Sequence, residues 1–218
     1  MKIKYYNLYL PYCEDHDILF KTIDKALDIG YQCITLTFSS EEDLNSNVVD
    51  SVSTYCSERG IGFYTRYHIS HHSIDTSLKR GVRGNILKLR KRIEKKVCIV
   101  SVDDILFKFL TPNDAYKFDL VRLFEPRFRT VVKLLDKPII FEFPLNSSLI
   151  KNNWLRRNLF IIKMLLDKNK LVVSQDPGLD IVFPPQQLAY FIYGLVGEPN
   201  FSFNVISTLP MELISRCL

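Results

Sequence analysis

The chain has 218 residues, of which 47% are hydrophobic and 24% charged, and its formal net charge is +5. These values are ordinary for a globular protein with one large core or two small ones. No apolar run follows the first lysines as a signal peptide requires, and apolar stretches such as residues 159–166 are too short to span a bilayer. The cysteines form no CxxC pair, which predicts reduced thiols in the cytosol or nucleus rather than disulfides or a zinc site. They are widely spaced, at Cys13, Cys33, Cys56, Cys98 and Cys217.

Short apolar strands alternate with amphipathic helices in the first part of the chain. The strands are predicted at residues 5–11, 32–38 and 61–69. Asp15 is suited to cap the first helix, and Gly30 to the left-handed position that ends it. Ser39 and Glu42 form a capping box for a second helix, which Gly60 ends. The apolar face of that second helix is predicted to contain Leu44, Val48, Val52 and Tyr55.

The alternation continues in the second part of the chain. The strands are predicted at residues 97–102, 118–124, 139–144 and 171–174. The helix before the last strand can be capped by Ser147 or Ser148, and it has a buried stripe at helical spacing. The stripe consists of Leu155, Leu159, Ile162 and Leu166. This assignment places Arg156 on the solvated face with Lys163, and Arg157 at the margin of the stripe, where its stem can pack. Arg157→Ala is therefore expected to destabilise the fold, and Arg156→Ala is not.

Seven predicted strands separated by helices indicate an α/β fold with a parallel sheet, since strands this apolar must be covered on both faces. No Gly/Ser-rich or Pro-rich linker interrupts residues 1–218, which favours one domain. A closed or nearly closed barrel and an open doubly wound sheet both suit the order of elements. No glycine-rich phosphate loop follows any strand. The sequence therefore favours a single-domain TIM-like (β/α) barrel with about seven strands.

Residues 79–96 form the most basic segment of the chain, with nine lysines and arginines and one acid, Glu94. If residues 84–96 are helical, Lys88, Lys91, Arg92 and Lys95 share one face, and the opposite face consists of Ile86, Leu89 and Ile93. Like charges at this spacing repel one another, and a polyanion would relieve the repulsion and release counterions. A merely solvated helix is the alternative, but solvated faces usually mix both signs. The predicted RNA-binding residues are Lys79, Arg80, Arg83, Lys88, Arg90, Lys91, Arg92, Lys95 and Lys96.

The run HISHH at residues 68–72 is the main candidate for a metal site. A metal site in a barrel normally collects ligands from several strand ends, whereas three of the four histidines lie in this run. A metal-dependent phosphoesterase would require His68, His71 or His72 to converge with Asp103 or Glu125. Acids near strand ends are also natural helix caps. These acids are Asp103, Asp104, Glu125 and Asp176.

Other catalytic chemistry has little support in the sequence. Ser174 lacks a GxSxG context, and no cysteine adjoins a histidine. Arg66 lies inside an apolar strand and therefore needs a partner or a cleft. A buried pair with an acid such as Glu142 and a role in RNA binding both remain open for it. No catalytic residue, metal ion or cofactor is assigned.

The order of these segments resembles the TIM-barrel protein subunit of ribonuclease P and ribonuclease MRP, in its eukaryotic and archaeal forms. The matching segments, over most of the chain, are YNLYLP, Gly30-Tyr31 with CITLT, FYTR, FDLVRL, FEFPLNSSLIKNNWLRRNLFIIKMLL, KLVVSQD and IVFPPQQLAYFIYGL. Arg156 and Arg157 stand where the family has paired basic residues. The chain departs from the family at Asn7-Leu8-Tyr9 in place of Asp-Leu-Asn, at Thr37 in place of Asn, and at Val182 or Phe183 in place of Arg.

The resemblance implies a divergent, non-catalytic RNA-binding subunit of a ribonucleoprotein. It implies contact with ribonuclease P RNA and precursor tRNA during 5′ maturation, or a role in rRNA processing in the MRP complex. It also implies protein partners, including a small subunit with an RNA-recognition-like fold, no membrane, and a nuclear (nucleolar) location in a eukaryote or a cytoplasmic one otherwise. The expected RNA-binding residues then include Arg66, Arg156 and Arg157. A metal-dependent phosphoesterase and a scaffold that does not contact RNA are the alternatives.

Overall fold

The computed structural model describes residues 4–45, 47–74, 81–145, 153–176, 182–197 and 199–216. The strands in these ranges are β1 (Tyr6–Pro11), β2 (Cys33–Phe38), β3 (Gly62–Ile69), β4 (Ile99–Asp103), β5 (Leu120–Arg122), β6 (Ile140–Leu145) and β7 (Leu171–Gln175). The α-helices are α1 (His16–Asp28), α2 (Val48–Glu58), α3 (Val82–Ile93), α4 (Phe128–Leu134), α5 (Trp154–Asp167), α6 (Pro185–Val196), α7 (Pro199–Asn204) and α8 (Thr208–Ser215). Three short 3-10 helices lie at Asp43–Asn45, Asp104–Lys108 and Pro112–Lys117.

The strands are parallel and follow one another in chain order around the sheet. β1 and β7, the first and last strands, meet at a seam formed by side-chain and backbone hydrogen bonds. The Asn7 amide donates to the Gln175 carbonyl oxygen at 2.8 Å, and Asn7 Oδ1 accepts from the Gln175 N–H at 3.4 Å. The Tyr6 N–H also donates to the Ile206 carbonyl oxygen, after α7. The protein is therefore a nearly closed parallel barrel, which confirms the predicted TIM-like fold.

The N-terminal half of the barrel interior is apolar. The side chains that fill it come from the first or second residues of several strands, and helix α8 packs against them. This inner core consists of Tyr6, Leu8, Cys33, Ile99, Leu120, Ile140 and Val172, with Leu209, Leu213 and Ile214 of α8. A second, larger core lies between the strands and the surrounding helices. Polar side chains are thus confined to the C-terminal half of the barrel interior, the end at which barrel enzymes place their active sites.

Local sequence signals explain both ends of α1 and the end of α2. Asp15 accepts a hydrogen bond from the Ile18 N–H at the start of α1, as predicted. Gly30 and Gly60 have positive φ angles of 108° and 68° after α1 and α2, which also confirms their predicted roles. The predicted capping box before α2 is wrong, since α2 starts only at Val48 and follows a 3-10 turn. The predicted caps Ser147 and Ser148 lie outside the described residues.

Candidate functional site

Helix α3 presents the basic face that the sequence predicts. Its apolar side chains Val82, Ile86, Leu89 and Ile93 are buried against the barrel. Lys88, Lys91, Arg92 and Lys95, in and just after the helix, are exposed. The helix binds the barrel through one stripe and holds its cations in water on the other side. The predicted separation of the two faces is confirmed.

The arginines of helix α3 pair with acidic side chains. Arg83 makes two hydrogen bonds of 2.8 and 2.9 Å to Asp114, which hold the pKa of that carboxyl well below its usual range. Arg92 contacts Glu41 at 2.6 Å. Arg90 contacts Glu94 on its own helix. These arginines are therefore partly neutralised, which leaves them less available to an anionic ligand than the sequence predicts.

The lysines of the segment differ from the arginines in this respect. Within the described parts of the chain, no acidic side chain forms an ion pair with Lys88, Lys91 or Lys95. Lys96 is also exposed at the end of the segment. Lys79 and Arg80 lie outside the described residues. Lys88, Lys91 and Lys95, hereafter the lysine strip, are exposed positive charges in the described part of this segment that an anionic ligand can reach without displacing an acid.

The paired arginines of helix α5 are both exposed. The buried side chains of this helix are Ile161, Ile162, Leu165 and Leu166. Two of these four, Ile162 and Leu166, belong to the predicted stripe, while Leu155 and Leu159 are half-buried. Arg157 stands four residues before Ile161 and so adjoins the buried stripe, but its side chain is exposed, and the predicted packing of its stem is not observed.

Arg156→Ala and Arg157→Ala should consequently have similar and small effects on stability. Each should change the free energy of unfolding by about 0.5 kcal/mol or less, because exposed side chains far from the core rarely contribute more. Thermal melts of the two variants test this directly. Ile162→Ala, in the buried stripe, is the positive control, with an expected loss of about 2–5 kcal/mol. A clear fall in melting temperature for Arg157→Ala alone would contradict the placement of the helix.

Arg66 lies at the centre of the polar half of the barrel interior. Its guanidinium donates to both carboxylate oxygens of Glu142 at 2.6 Å, and the two side chains are 0% exposed. β3 and β6 are not neighbours, so this contact crosses the interior. Arg66 also donates to the Leu8 carbonyl oxygen and to Ser101 Oγ, at 2.8 and 2.7 Å. The predicted buried pair of Arg66 with Glu142 is therefore observed. The expected contact of Arg66 with RNA is wrong, because the side chain is fully buried and no phosphate can reach it.

Glu142 is held in its ionised form by its neighbours. Burial alone would raise its pKa, but the Arg66 and Arg122 cations and a hydrogen bond from Ser174 Oγ at 2.5 Å lower it to about 2. Arg122 lies over the Tyr9 ring, with its Cζ atom 3.9 Å from the ring centroid. Arg66, Arg122 and Glu142 are each a charged residue within an apolar strand. That common feature of the sequence could have identified all three as one interior cluster.

Two of the predicted histidine ligands converge on one carboxylate at the mouth of the barrel. His68 Nε2 lies 3.1 Å from Asp103 Oδ1, and His71 contacts Oδ2 through its backbone N–H at 2.8 Å and its Nδ1 at 2.7 Å. Burial would raise the pKa of Asp103, but the contacts with His68 and His71 hold it below its usual range. Burial lowers the pKa of His68. Ser101 Oγ completes the chain, 3.0 Å from His68 Nδ1.

These hydrogen bonds occupy the imidazole nitrogens and carboxylate oxygens that would otherwise coordinate a metal ion. Asp103 is buried and both of its oxygens have protein partners, while His72 and Glu125 are exposed. Across the described ranges, no group of three histidine, cysteine or acidic side chains has an arrangement suited to hold a metal ion. Asp104 caps the loop after β5, where its Oδ1 accepts from the Phe124 and Glu125 N–H groups. The mouth is thus a set of mutually paired side chains.

Gln175 has a structural role that no sequence pattern indicates. Its side-chain amide donates to the hydroxyl of Tyr31 at 2.7 Å, and its Oε1 accepts from the Phe183 N–H at 3.0 Å. Its backbone pairs with Asn7 at the seam. Asn7, where the resembled family has Asp, therefore helps to close the barrel rather than to line an open pocket.

The comparisons with known proteins concern the fold. No known family profile and no curated protein sequence matches the chain. An amidohydrolase from Mycoplasma synoviae matches with a TM-score of 0.57 at 10% identity, over 97% of this chain and 87% of that one. A D-psicose 3-epimerase from Clostridium cellulolyticum matches with a TM-score of 0.37 at 13% identity, over 79% and 63%. The match with the amidohydrolase, at 10% identity, supports a shared barrel fold and says nothing about chemistry. No helix in the described ranges is long and apolar enough to cross a membrane.

Proposed function

We propose that the protein is a non-catalytic RNA-binding subunit of ribonuclease P, or of the related ribonuclease MRP. The observation that carries the proposal is the lysine strip, with its exposed charges and no acid paired to them in the described parts of the chain. A polyanion lowers the mutual repulsion of these lysines and releases its own counterions when it binds. The order of sequence segments then favours this ribonucleoprotein over other RNA-binding proteins.

The buried carboxylates of the barrel interior are poorly placed to act as a general base. The carboxylates of Glu142 and Asp103 are buried, and each is already paired with a cation or with imidazole groups of its own chain. A general base must reach the proton that it takes from a substrate, and neither group is free to do so. In this proposal the RNA of the complex performs cleavage, and the protein neutralises phosphates and holds the RNA in shape.

A metal-dependent phosphoesterase is the competing function, and the convergence of His68 and His71 on Asp103 is the observation in its favour. Incubation of the purified protein with precursor tRNA and with a simple phosphodiester, in the presence of Mg²⁺, Mn²⁺ or Zn²⁺, separates the two. We expect no turnover of either substrate. Metal-dependent turnover that is lost in His68→Ala and His71→Ala, but kept in the control His16→Ala, would overturn the proposal. His16 is the control because it is exposed, begins α1 and lies outside the run at residues 68–72.

A further inference from the structure

Helices α4 and α5 form a second basic surface, on a different side of the barrel from α3. Its centre is apolar, since Phe128 is 48% exposed, Phe160 68% and Val132 40%. The two phenyl rings lie with their centroids 5.6 Å apart and their planes inclined by 47°. Exposed rings in contact with each other but open to water are unusual for a monomer surface and indicate a ligand.

Positive side chains surround these rings. On α5, Phe160 is four residues after Arg156, three after Arg157 and three before Lys163, the spacings at which helix side chains are neighbours. The exposed cations of α4 and α5 are Arg127, Arg129, Lys133, Arg156, Arg157 and Lys163. The sequence has no Asp or Glu at residues 126–135 or 143–166. The exposed acids nearby, Glu125, Asp136 and Asp167, lie at the ends of the two helices, so the surface combines aromatic faces with mainly positive charge.

We infer that this surface, hereafter the phenyl surface, binds a single-stranded RNA segment whose bases stack on Phe128 and Phe160. Charge complementarity selects a polyanion, and the rings select one whose bases are exposed, since bases inside a duplex are already stacked. Arginines beside the rings contact the backbone phosphates and contribute cation–π contacts with bases. The inference extends the proposed function to unpaired RNA but does not depend on the lysine strip.

The test compares binding of a fluorescent twelve-nucleotide single-stranded RNA, the same RNA in a duplex, and an abasic strand of equal length. Phe128→Leu with Phe160→Leu keeps apolar side chains but removes the aromatic faces. We expect this variant to bind the single strand about tenfold or more weakly, and to bind the duplex and the abasic strand as the unmodified protein does. Phe128→Tyr with Phe160→Tyr should restore binding of the single strand.

Tyr190→Leu is the matched control, because Tyr190 is a 67% exposed aromatic residue on α6, outside this surface. It should leave binding of all three RNAs unchanged. The inference is overturned if the leucine variant binds the single strand normally, or if it loses the single and the abasic strand equally. It is also overturned if an acidic peptide binds the phenyl surface and the single strand does not, which would indicate a protein partner.

A third variant separates this inference from the proposed function. Lys88, Lys91 and Lys95 are changed to Gln in the background of unmodified phenyl rings, and the single strand is titrated again. Phe128→Leu with Phe160→Leu is then added to the lysine variant. If the inference is correct, these two changes weaken binding of the single strand by about the same factor with and without the lysine strip. Loss of that effect would show that the rings act only through the lysine strip and would contradict a separate site.

Discussion

Glu142→Gln is expected to destabilise the protein by about 3–5 kcal/mol, because it leaves the Arg66 cation buried without its counterion. Both side chains are 0% exposed, and Arg66 Nη1 and Nη2 each lie 2.6 Å from a carboxylate oxygen. Urea or thermal unfolding measures the loss. Glu125→Gln, which removes an exposed carboxylate at the same end of the barrel, is the control and should change stability by about 0.5 kcal/mol or less.

The double variant Arg66→Met with Glu142→Leu shows whether the loss comes from the unpaired charge. It should be more stable than Glu142→Gln, since it removes both charges from the interior. It should remain less stable than the unmodified protein, because the Leu8 carbonyl oxygen and Ser101 Oγ lose their donor. A double variant less stable than the single one would mean that Arg66 acts mainly by filling space.

The pH dependence of the Glu142→Gln effect follows from the direction of the pKa shift. The pKa of Glu142 falls from 4.5 to about 2 in the folded protein. A carboxyl group with a lowered pKa contributes stability that is fully present above its unfolded pKa and is lost as the pH falls through its folded pKa. The stability difference between the unmodified protein and Glu142→Gln should therefore shrink as the pH falls from 4.5 toward 2.

The largest expected effect on binding comes from replacing Lys88, Lys91, Arg92 and Lys95 with Gln. This variant should bind RNA more weakly for all sequences, because contacts with phosphates carry little base information. The slope of log K against log salt should become shallower by as much as about 3, at roughly 0.7–0.9 for each lost contact. Fluorescence anisotropy over a range of salt concentrations gives both quantities.

Two further variants make the binding experiment specific. In the first, Lys88, Lys91 and Lys95 are changed to Gln and Arg92 is kept. Its salt slope should be close to that of the fourfold variant, because RNA must displace Glu41, 2.6 Å from Arg92, before it can contact that arginine. The charge control replaces Lys21, Lys108 and Lys168, three exposed lysines on other elements, with Gln. That control removes three positive charges, as replacement of the three lysines of the strip does, but it should retain most of the affinity for RNA. Equal losses in the control and the strip variants would indicate a general effect of charge and no interface.

Local patterns were sufficient to predict the barrel and the basic helix face. Strands that are apolar throughout require cover on both sides, and the spacing of Ile86, Leu89 and Ile93 determines which face of α3 is buried. The ion pairs of α3 could not be predicted in the same way. Arg92 and Glu41 are 51 residues apart in sequence, and only the tertiary structure brings them together.

The buried face of α5 was predicted only in part, since Ile162 and Leu166 are buried but Ile161 and Leu165 were not included. Residues 159–166 read LFIIKMLL, so apolar side chains occupy nearly every position and the periodicity hardly distinguishes one stripe from the next. The ion pair of Arg66 with Glu142 can be predicted from the sequence, because a charge in an apolar strand needs a partner and Glu142 lies in another apolar strand. The closure of the seam by Asn7 and Gln175 was not predicted, since those residues are 168 positions apart.

The most direct test of RNA binding in a ribonucleoprotein is to identify the RNA that crosslinks to the tagged protein in its own cells. The unmodified protein and the variant with Lys88, Lys91 and Lys95 changed to Gln are compared, with Tyr190→Leu as the control. We expect ribonuclease P or MRP RNA, with precursor tRNA, to be enriched with the unmodified and control proteins and strongly reduced with the lysine variant. Absence of any enriched RNA, or enrichment that the three lysine substitutions leave unchanged, would contradict the account.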